Sequence, residues 1–165
     1  MKAEDANVSS RVAKTPGPQR RLSMAGLDEA LGFRLRLLEQ YILRNFALHM
    51  DPLKISPTLY SILMLIQANP KCRQAELAQA LGMHQPNLVE RVGLLIDRGL
   101  VAREEDPADR RANVLELTFA GEHFMEKVAQ AHDRHLTDLH DQLGQRYEAL
   151  LALCAPTHEA DPVEA

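Results

Sequence analysis

The fold is decided by residues 95–121, which read LIDRGLVAREEDPADRRANVLELTFAG. A helical pattern ends at Arg98, and Gly99 follows where a helix commonly terminates on glycine. Two apolar runs, 100–102 and 114–117, have the composition of short strands, and the charged residues 104–111 between them predict a turn. Thr118 can then cap another helix. The order of helix, strand, charged hairpin, strand and helix predicts a winged-helix domain.

Two helices lead into this stretch. Gln74–Leu81 is a short helical pattern that Gly82 breaks, and a longer pattern runs from Gln85 to about Arg98. A short helix supporting a second one is the helix-turn-helix arrangement, whose second helix enters the DNA major groove. Gln, Asn and Arg can pair there with base edges, although outward polar residues also suit a solvated face. The DNA-facing residues predicted on this helix are His84, Gln85, Asn87, Glu90 and Arg91.

Longer helices flank this core. Leu27–Met50 is apolar on two faces, so one face can cover its own domain while the other needs a partner. We therefore expect a homodimer, the alternative being a monomeric bundle. Another helix opens at Ser56-Pro57 and stops at Asn69-Pro70, and two more are predicted over Ala120–Leu143 and Gln145–Cys154. The expected fold class is mostly α with a small β wing: a winged helix-turn-helix domain with N- and C-terminal dimerisation helices.

Charge and composition divide the chain. Residues 1–25 predict a flexible basic arm, residues 26–155 a folded domain with its DNA-binding core at about 56–118, and residues 156–165 a flexible tail. The net charge is −4, and from Lys71 to Arg111 seven basic side chains are balanced by seven acidic ones. Non-specific DNA affinity comes from phosphate neutralisation, so it should be weak here. The arm's basic residues are expected to add phosphate contacts; they are Arg11, Lys14, Arg20 and Arg21.

The sequence contains no motif that indicates an enzyme, a secreted or membrane protein, or a disulfide-rich protein. There is no Gly-rich phosphate loop, nucleophile elbow or motif-placed carboxylate pair, so an enzyme is not expected and neither is a cofactor. Neither a secretory signal nor a membrane-spanning apolar run is present, which predicts a cytoplasmic protein without a membrane partner. Cys72 and Cys154 have no paired spacing, which argues against a disulfide framework or a thiolate metal site.

Several motifs resemble the core of the MarR family of bacterial regulators. They are QAELA at 74–78, LIDRGLV at 95–101, DPADRR at 106–111, and LELT at 115–118 followed by Ala120-Gly121. With the helix order, the resemblance covers about residues 27–153. It implies that Arg111 reaches toward the minor groove, that Asp109 braces the wing and that Arg110 contacts a phosphate. Many members begin the recognition helix with Ser or Thr; residues 84–87 are His-Gln-Pro-Asn instead, which leaves the preferred DNA sequence open.

The resemblance also implies a mechanism. Family members usually repress transcription as two-fold dimers and leave DNA when a small molecule binds, often an aromatic or phenolic compound; here we expect such an acid or its thioester. Arg34 or Arg44 could hold a ligand carboxylate or phosphate. The ligand-binding residues that the resemblance implies are Arg34, Leu37, Tyr41, Arg44, His49 and Tyr60.

Two alternatives stay open within this fold. One is a metal-responsive regulator, since His132 and His135 lie one helical turn apart with Asp133 and His140 nearby, although exposed histidines on a polar helix are common. The other is a protein-interaction module that kept the winged helix without DNA binding. A redox sensor is not expected, because the family's reactive cysteine lies near the first helix, where this chain has none.

Overall fold

The computed structural model describes residues 22–106 and 109–154, without the side chains of residues 109–112. No helix among these residues is long and apolar enough to cross a membrane. The predicted arm lies outside the description as far as residue 21, and the tail lies wholly outside it. The elements are α1 (Leu31–Met50), α2 (Pro57–Ala68), β1 (Cys72–Arg73), α3 (Gln74–Ala80), α4 (Gln85–Asp97), β2 (Val101–Asp106), β3 (Asp109–Leu117), α5 (Phe119–Leu143) and α6 (Arg146–Leu153).

The described residues divide into two compact units after Leu35. In the first unit, the sequence predicted a helix from Leu27. The structure instead has a 3₁₀ turn at Leu27–Glu29, and α1 begins only at Leu31. Gly26 precedes the turn with φ +82°, a left-handed conformation that glycine adopts without a Cβ clash. Arg34 closes the turn, because its Nε donates to the carbonyl oxygen of Asp28.

In the second unit, α2 begins and ends where the sequence predicts. The hydroxyl of Ser56 accepts a hydrogen bond from the amide of Leu59 at 3.3 Å, and Pro57 follows in the first turn. Proline is tolerated there because the first helical amides have no intrahelical acceptor. The helix buries four apolar side chains in the main core; they are Leu59, Ile62, Leu63 and Ile66.

The helix-turn-helix is formed by α3 and α4. Leu77 and Ala78 of α3 pack into the same core as Leu88, Val92 and Leu95 of α4. The turn between the helices passes through Gly82 at φ +59°, a conformation that favours glycine, and the amide of Met83 then donates to the carbonyl of Ala78. The predicted bounds of both helices are confirmed to within one residue.

The sheet is larger than the sequence indicated. Its order is β1-β3-β2, all antiparallel, and β2 and β3 continue through most of the charged segment 104–111 that was predicted to be a turn. That prediction was wrong because hairpin pairing depends on backbone hydrogen bonds and does not require apolar side chains. The two-residue strand β1, which pairs Cys72 with Leu115, was not predicted at all.

The wing is fastened to α5 by a close backbone approach. Thr118 caps α5 by accepting from the amide of Gly121 at 2.9 Å, and its hydroxyl donates to the carbonyl of Gly99 at 2.7 Å. The amide of Thr118 donates to the carbonyl of Leu100. A Cβ at position 121 would overlap that same carbonyl oxygen, so glycine is required where α5 starts. The predicted Thr118 cap and Gly99 terminus are both confirmed.

Candidate nucleic-acid interface

Helix α4 has one apolar and one polar face. Leu88, Val92 and Leu95 are each 0% exposed, which fixes that side of the helix against the core. The residues that the sequence predicted to face DNA are all exposed in the structure; they are His84, Gln85, Asn87, Glu90 and Arg91. The helix-turn-helix therefore brings two amide side chains, a histidine and an arginine to one solvent-facing surface. Such donors and acceptors match those on base edges.

The start of α4 is open to solvent. His84 precedes the helix in an extended conformation, and its carbonyl accepts from the amides of Asn87 and Leu88 at 3.0 and 3.2 Å. Its own side chain makes no capping hydrogen bond, and Pro86 has no amide hydrogen to offer. The His84 and Gln85 side chains are therefore left at the tip of the helix, where base contacts are made in helix-turn-helix proteins.

The wing places the predicted basic residues on a strand. Asp109, Arg110 and Arg111 are the first residues of β3, and Asp109 lies opposite Asp106 of β2. Their side chains lie outside the described part of the structure, so their roles stay predictions. On β2, the exposed residues Arg103, Glu104 and Glu105 give the hairpin a mixed surface charge.

Arg98, at the end of α4, was missed by the sequence analysis. Its guanidinium donates to the carbonyl oxygens of Leu53 and Lys54 at 2.9 and 3.0 Å, and it lies 5.1 Å from the ring centre of Phe124. One side chain thus connects α4 to the segment before α2 and to α5. A basic residue in a last turn often binds carbonyls, but nothing in the sequence indicated which ones.

The predicted effector residues do not form a single site. Tyr41 and Arg44 line one open cavity of about 460 Å³, together with Leu48, Asp51 and Gln142. The hydroxyl of Tyr41 donates to the side-chain carbonyl of Gln142, which links α1 to α5. Outside this cavity, Leu37 is exposed, Arg34 belongs to the first unit, and Tyr60 and His49 lie in a separate cluster.

This second group, the histidine cluster, consists of Asn45, Phe46 and His49 of α1, Tyr60 of α2, and His132, His135 and Asp138 of α5. His132 stacks on Tyr60 with ring centres 4.7 Å apart. His135 Nδ1 donates to Asn45 Oδ1 at 2.6 Å, and His49 Nε2 lies 2.8 Å from Asp138 Oδ2. An adjoining cavity of about 390 Å³ is lined by Tyr60, His132 and the two methionines Met64 and Met125.

Burial shifts the pKa values of the cluster. It lowers the pKa of His135, an effect that the neighbouring His132 and His49 increase and Asp138 opposes. It also lowers the pKa of His132, against the influence of Asp133, and raises that of Tyr60. Both histidines are therefore held in their neutral form at neutral pH.

The exposure of the histidines on α5 differs from what the sequence predicted. His135 is only 4% exposed, so the interpretation of these histidines as exposed on a polar helix was wrong for this one. His140 instead packs edge-on against Tyr147, with ring centres 5.7 Å apart. Among the described residues, no three His, Cys, Asp or Glu side chains converge as a metal site. Cys72 is buried, which raises the pKa of its thiol, whereas Cys154 is exposed.

A helix-turn-helix followed by a β-hairpin wing and bounded by long helices defines a winged-helix protein. A family model described as the MarR family matches residues 53–112. A candidate transcriptional regulatory protein for the hcr operon of Thauera aromatica is 34% identical over 123 residues, which cover 74% of this chain and 72% of that protein. The chain therefore belongs to the MarR family and is a transcriptional regulator.

Solved structures agree with this assignment. The transcriptional repressor CouR, bound to a 23-mer DNA duplex, is 33% identical with a TM-score of 0.76, covering 81% of this chain and 96% of that chain. CouR bound to p-coumaroyl-CoA is 31% identical with a TM-score of 0.73, covering 81% of this chain and 94% of that one. The likeness therefore includes both the winged helix and the long helices around it.

Proposed function

We propose that this regulator is a repressor that binds a pseudo-palindromic DNA operator as a homodimer. The observation that carries the proposal is the exposed polar face of α4, held rigidly by the buried Leu88, Val92 and Leu95. A recognition helix needs both properties, because base contacts require fixed donors and acceptors on an exposed surface. The DNA-bound state of CouR supports the same use of this fold.

The dimer is supported by apolar surface on the long helices. Leu48 of α1 is 75% exposed, and α6 buries none of its residues, with Leu153 82% exposed. Large exposed apolar patches mark protein–protein interfaces, and we assign these leucines to the surface between the two subunits. A two-fold dimer presents two α4 helices, so the operator should contain half-sites about 10 base pairs apart between centres.

The effector that we propose is an aromatic acid or its coenzyme A thioester. The Tyr41–Arg44 cavity combines an aromatic wall with one arginine, which suits a ring carrying a carboxylate or phosphate. The p-coumaroyl-CoA complex of CouR supports the thioester. Release follows if the effector binds the conformation that does not fit DNA better than the one that does.

DNA binding is tested with the DNA flanking the coding region, at two salt concentrations and with competitor DNA. We expect operator binding that survives the competitor. Arg111→Ala should weaken it by about 1–3 kcal/mol and lower the salt slope by about one, while the protein stays folded. No binding at either salt by a folded dimer would instead support the interaction-module alternative or an operator elsewhere.

The effector is tested by titrating the operator complex with p-coumaroyl-CoA, free p-coumarate and coenzyme A. We expect the thioester to release DNA at the lowest concentration. Arg44→Gln should raise the concentration required, because the charge-assisted contact is lost. Arg134→Gln, which removes an exposed arginine of α5 outside the cavity, is the matched control. Equal responses of the two variants would remove Arg44 from the effector site.

A further inference from the structure

We propose that Arg73 is a positioning residue for DNA binding, which joins the turn end of β2 in the β-hairpin wing to the start of α3 through Asp106. The inference rests on the proposed DNA-binding function and assigns it a residue outside both the recognition helix and the wing motif. The pair holds the wing at a fixed place relative to the helix-turn-helix.

The backbone of Arg73 already belongs to two elements. It is the last residue of β1, where it lies opposite Val114 of β3, and the next residue begins α3. Its amide donates to Glu76 Oε2 at 2.7 Å, so the first turn of α3 is fastened to this position. The sheet and the helix-turn-helix therefore meet at one residue.

The side chain of Arg73 reaches a third element. Its Nε donates to Asp106 Oδ2 at 2.8 Å, and its Nη2 donates to the same oxygen. The side chain of Asp106 is only 11% exposed. Charge-assisted hydrogen bonds to a buried carboxylate are strong and directional, which suits a structural clamp.

Asp106 is placed where the clamp matters most. It is the last residue of β2, at the point where the β2–β3 register shifts, and it pairs with Asp109. Arg110 and Arg111 follow directly in β3. Fixing Asp106 therefore fixes the start of the strand that carries both predicted DNA-contacting arginines.

The recognition helix and the wing can both contribute to DNA affinity only when the distance between them matches the distance between the two grooves. The recognition helix enters the major groove, while the wing arginine seeks the adjacent minor groove. A wing that moves freely relative to α3 must be ordered upon binding, and this ordering lowers the affinity. Loss of the clamp should therefore weaken binding to every operator sequence without removing a phosphate contact.

The main alternative is that Arg73 touches DNA itself, because its side chain is 43% exposed. The two hypotheses predict opposite changes in DNA affinity for Asp106→Asn. If Arg73 acts as a phosphate contact, removing a nearby negative charge should leave binding equal or tighter. If Arg73 acts through Asp106, the same substitution should weaken binding although the protein becomes less negative.

The experiment compares Asp106→Asn with Glu105→Gln, which removes one negative charge from the exposed neighbouring residue of β2. We expect Asp106→Asn and Arg73→Gln each to weaken operator binding by about tenfold with an unchanged salt slope, and Glu105→Gln to bind equally or more tightly. Arg73→Lys keeps the charge without the planar fork and should also lose affinity. Asp106→Asn binding like Glu105→Gln would overturn the proposal.

A readout without DNA separates this proposal from the proposed function. Hydrogen exchange of the β2 and β3 amides should be faster in Arg73→Gln and Asp106→Asn than in wild type, and unchanged in Glu105→Gln. Unchanged exchange in both clamp variants would overturn the clamp even if wild type binds its operator. Faster exchange in a protein that binds no DNA would retain the clamp while the DNA-binding function fails.

Discussion

Fully buried leucines in the region from α2 to the start of α5 contrast with strongly exposed leucines on the long flanking helices. In the first region, Leu63, Leu88 and Leu95 are each 0% exposed. In the flanking helices, Leu48 is 75% and Leu153 82% exposed. Helices α1 and α5 also contribute Phe46 and Val128 to this core, but Leu48 and Leu153 lie outside it. The difference teaches that the flanking helices bury one part of their apolar surface in the common core and leave another part exposed, which the proposed homodimer would cover.

Polar residues show the reverse arrangement. The polar side chains of α4 are exposed, as a recognition surface requires. At the junction of α1 and α5, by contrast, Asn45 and His135 are 5% and 4% exposed and hydrogen-bond to each other. A buried polar pair specifies one arrangement of two helices, because any other leaves its groups unsatisfied. The Asn45–His135 pair therefore helps to fix α1 against α5 within one chain.

The largest expected effect concerns the contact between the start of α5 and the residues that precede β2. Gly121→Ala places a Cβ against the carbonyl oxygen of Leu100, which is backbone and cannot move aside as a side chain can. We expect a loss of about 3 kcal/mol or more in the free energy of unfolding, or a failure to fold. Urea denaturation at fixed protein concentration measures this change.

Gly93→Ala is the matched control, because a Cβ at this position of α4 meets nothing within 4 Å. It should stabilise the protein by up to about 1 kcal/mol, since alanine is the better helix former. Equal stability of the two variants would mean that α5 can shift away from Leu100. The close approach of α5 to Leu100 would then not require glycine at position 121.

The sequence predicted most of the first region for physical reasons. Apolar residues at helical spacing, the Ser56 and Thr118 caps and Gly82 act locally, so α2, α3 and α4 could be placed from the chain alone. Strand β1 could not, because two residues carry no periodicity and their pairing partner, Leu115, is distant in sequence. The full length of the wing was missed for a related reason, since its charged strands are held by backbone pairing.

The candidate DNA-binding surface was also predicted only in part. The exposed face of α4 followed from its apolar stripe, and all five predicted residues lie on it. The burial of His135, the clamp from Arg73 to Asp106 and the Arg98 contacts depend on which helices and strands meet in space. One sequence without its fold contains no signal for such pairings.

A smaller effect is expected on dimerisation, which tests the exposed leucines of the flanking helices. Leu151→Asp combined with Leu153→Asp places two charges on α6, where the leucines are 53% and 82% exposed. If these side chains lie in the homodimer interface, the dissociation constant should rise at least about tenfold, because a buried unpaired charge is costly. Analytical ultracentrifugation over a dilution series measures this constant.

Leu94→Asp is the control for this measurement, since Leu94 is also partly exposed, at 42%, but belongs to α4. It should leave the dimer unchanged. A double α6 variant that dimerises like Leu94→Asp would show that the exposed leucines of α6 serve another purpose, and the interface would have to be sought on α1.

The smallest effect concerns the histidine cluster, where burial lowers the pKa values of His132 and His135. The groups around His135 are His49 of α1, and His132 and Asp138 of α5. In the unfolded chain these histidines bind protons near pH 6.5, whereas in the folded chain they resist protonation. Their contribution to stability is therefore complete above about pH 6.5 and is lost as the pH falls toward the folded pKa values, with a slope of at most about 1.4 kcal/mol per pH unit for each histidine.

Urea denaturation from pH 7.5 to 5.5 should show this loss of stability. His135→Gln should reduce the loss, whereas His123→Gln, which changes an exposed histidine, should not. If both variants keep the wild-type pH dependence, the cluster does not couple protonation to folding, and the contacts between α1 and α5 are as insensitive to acid as the apolar core beside them.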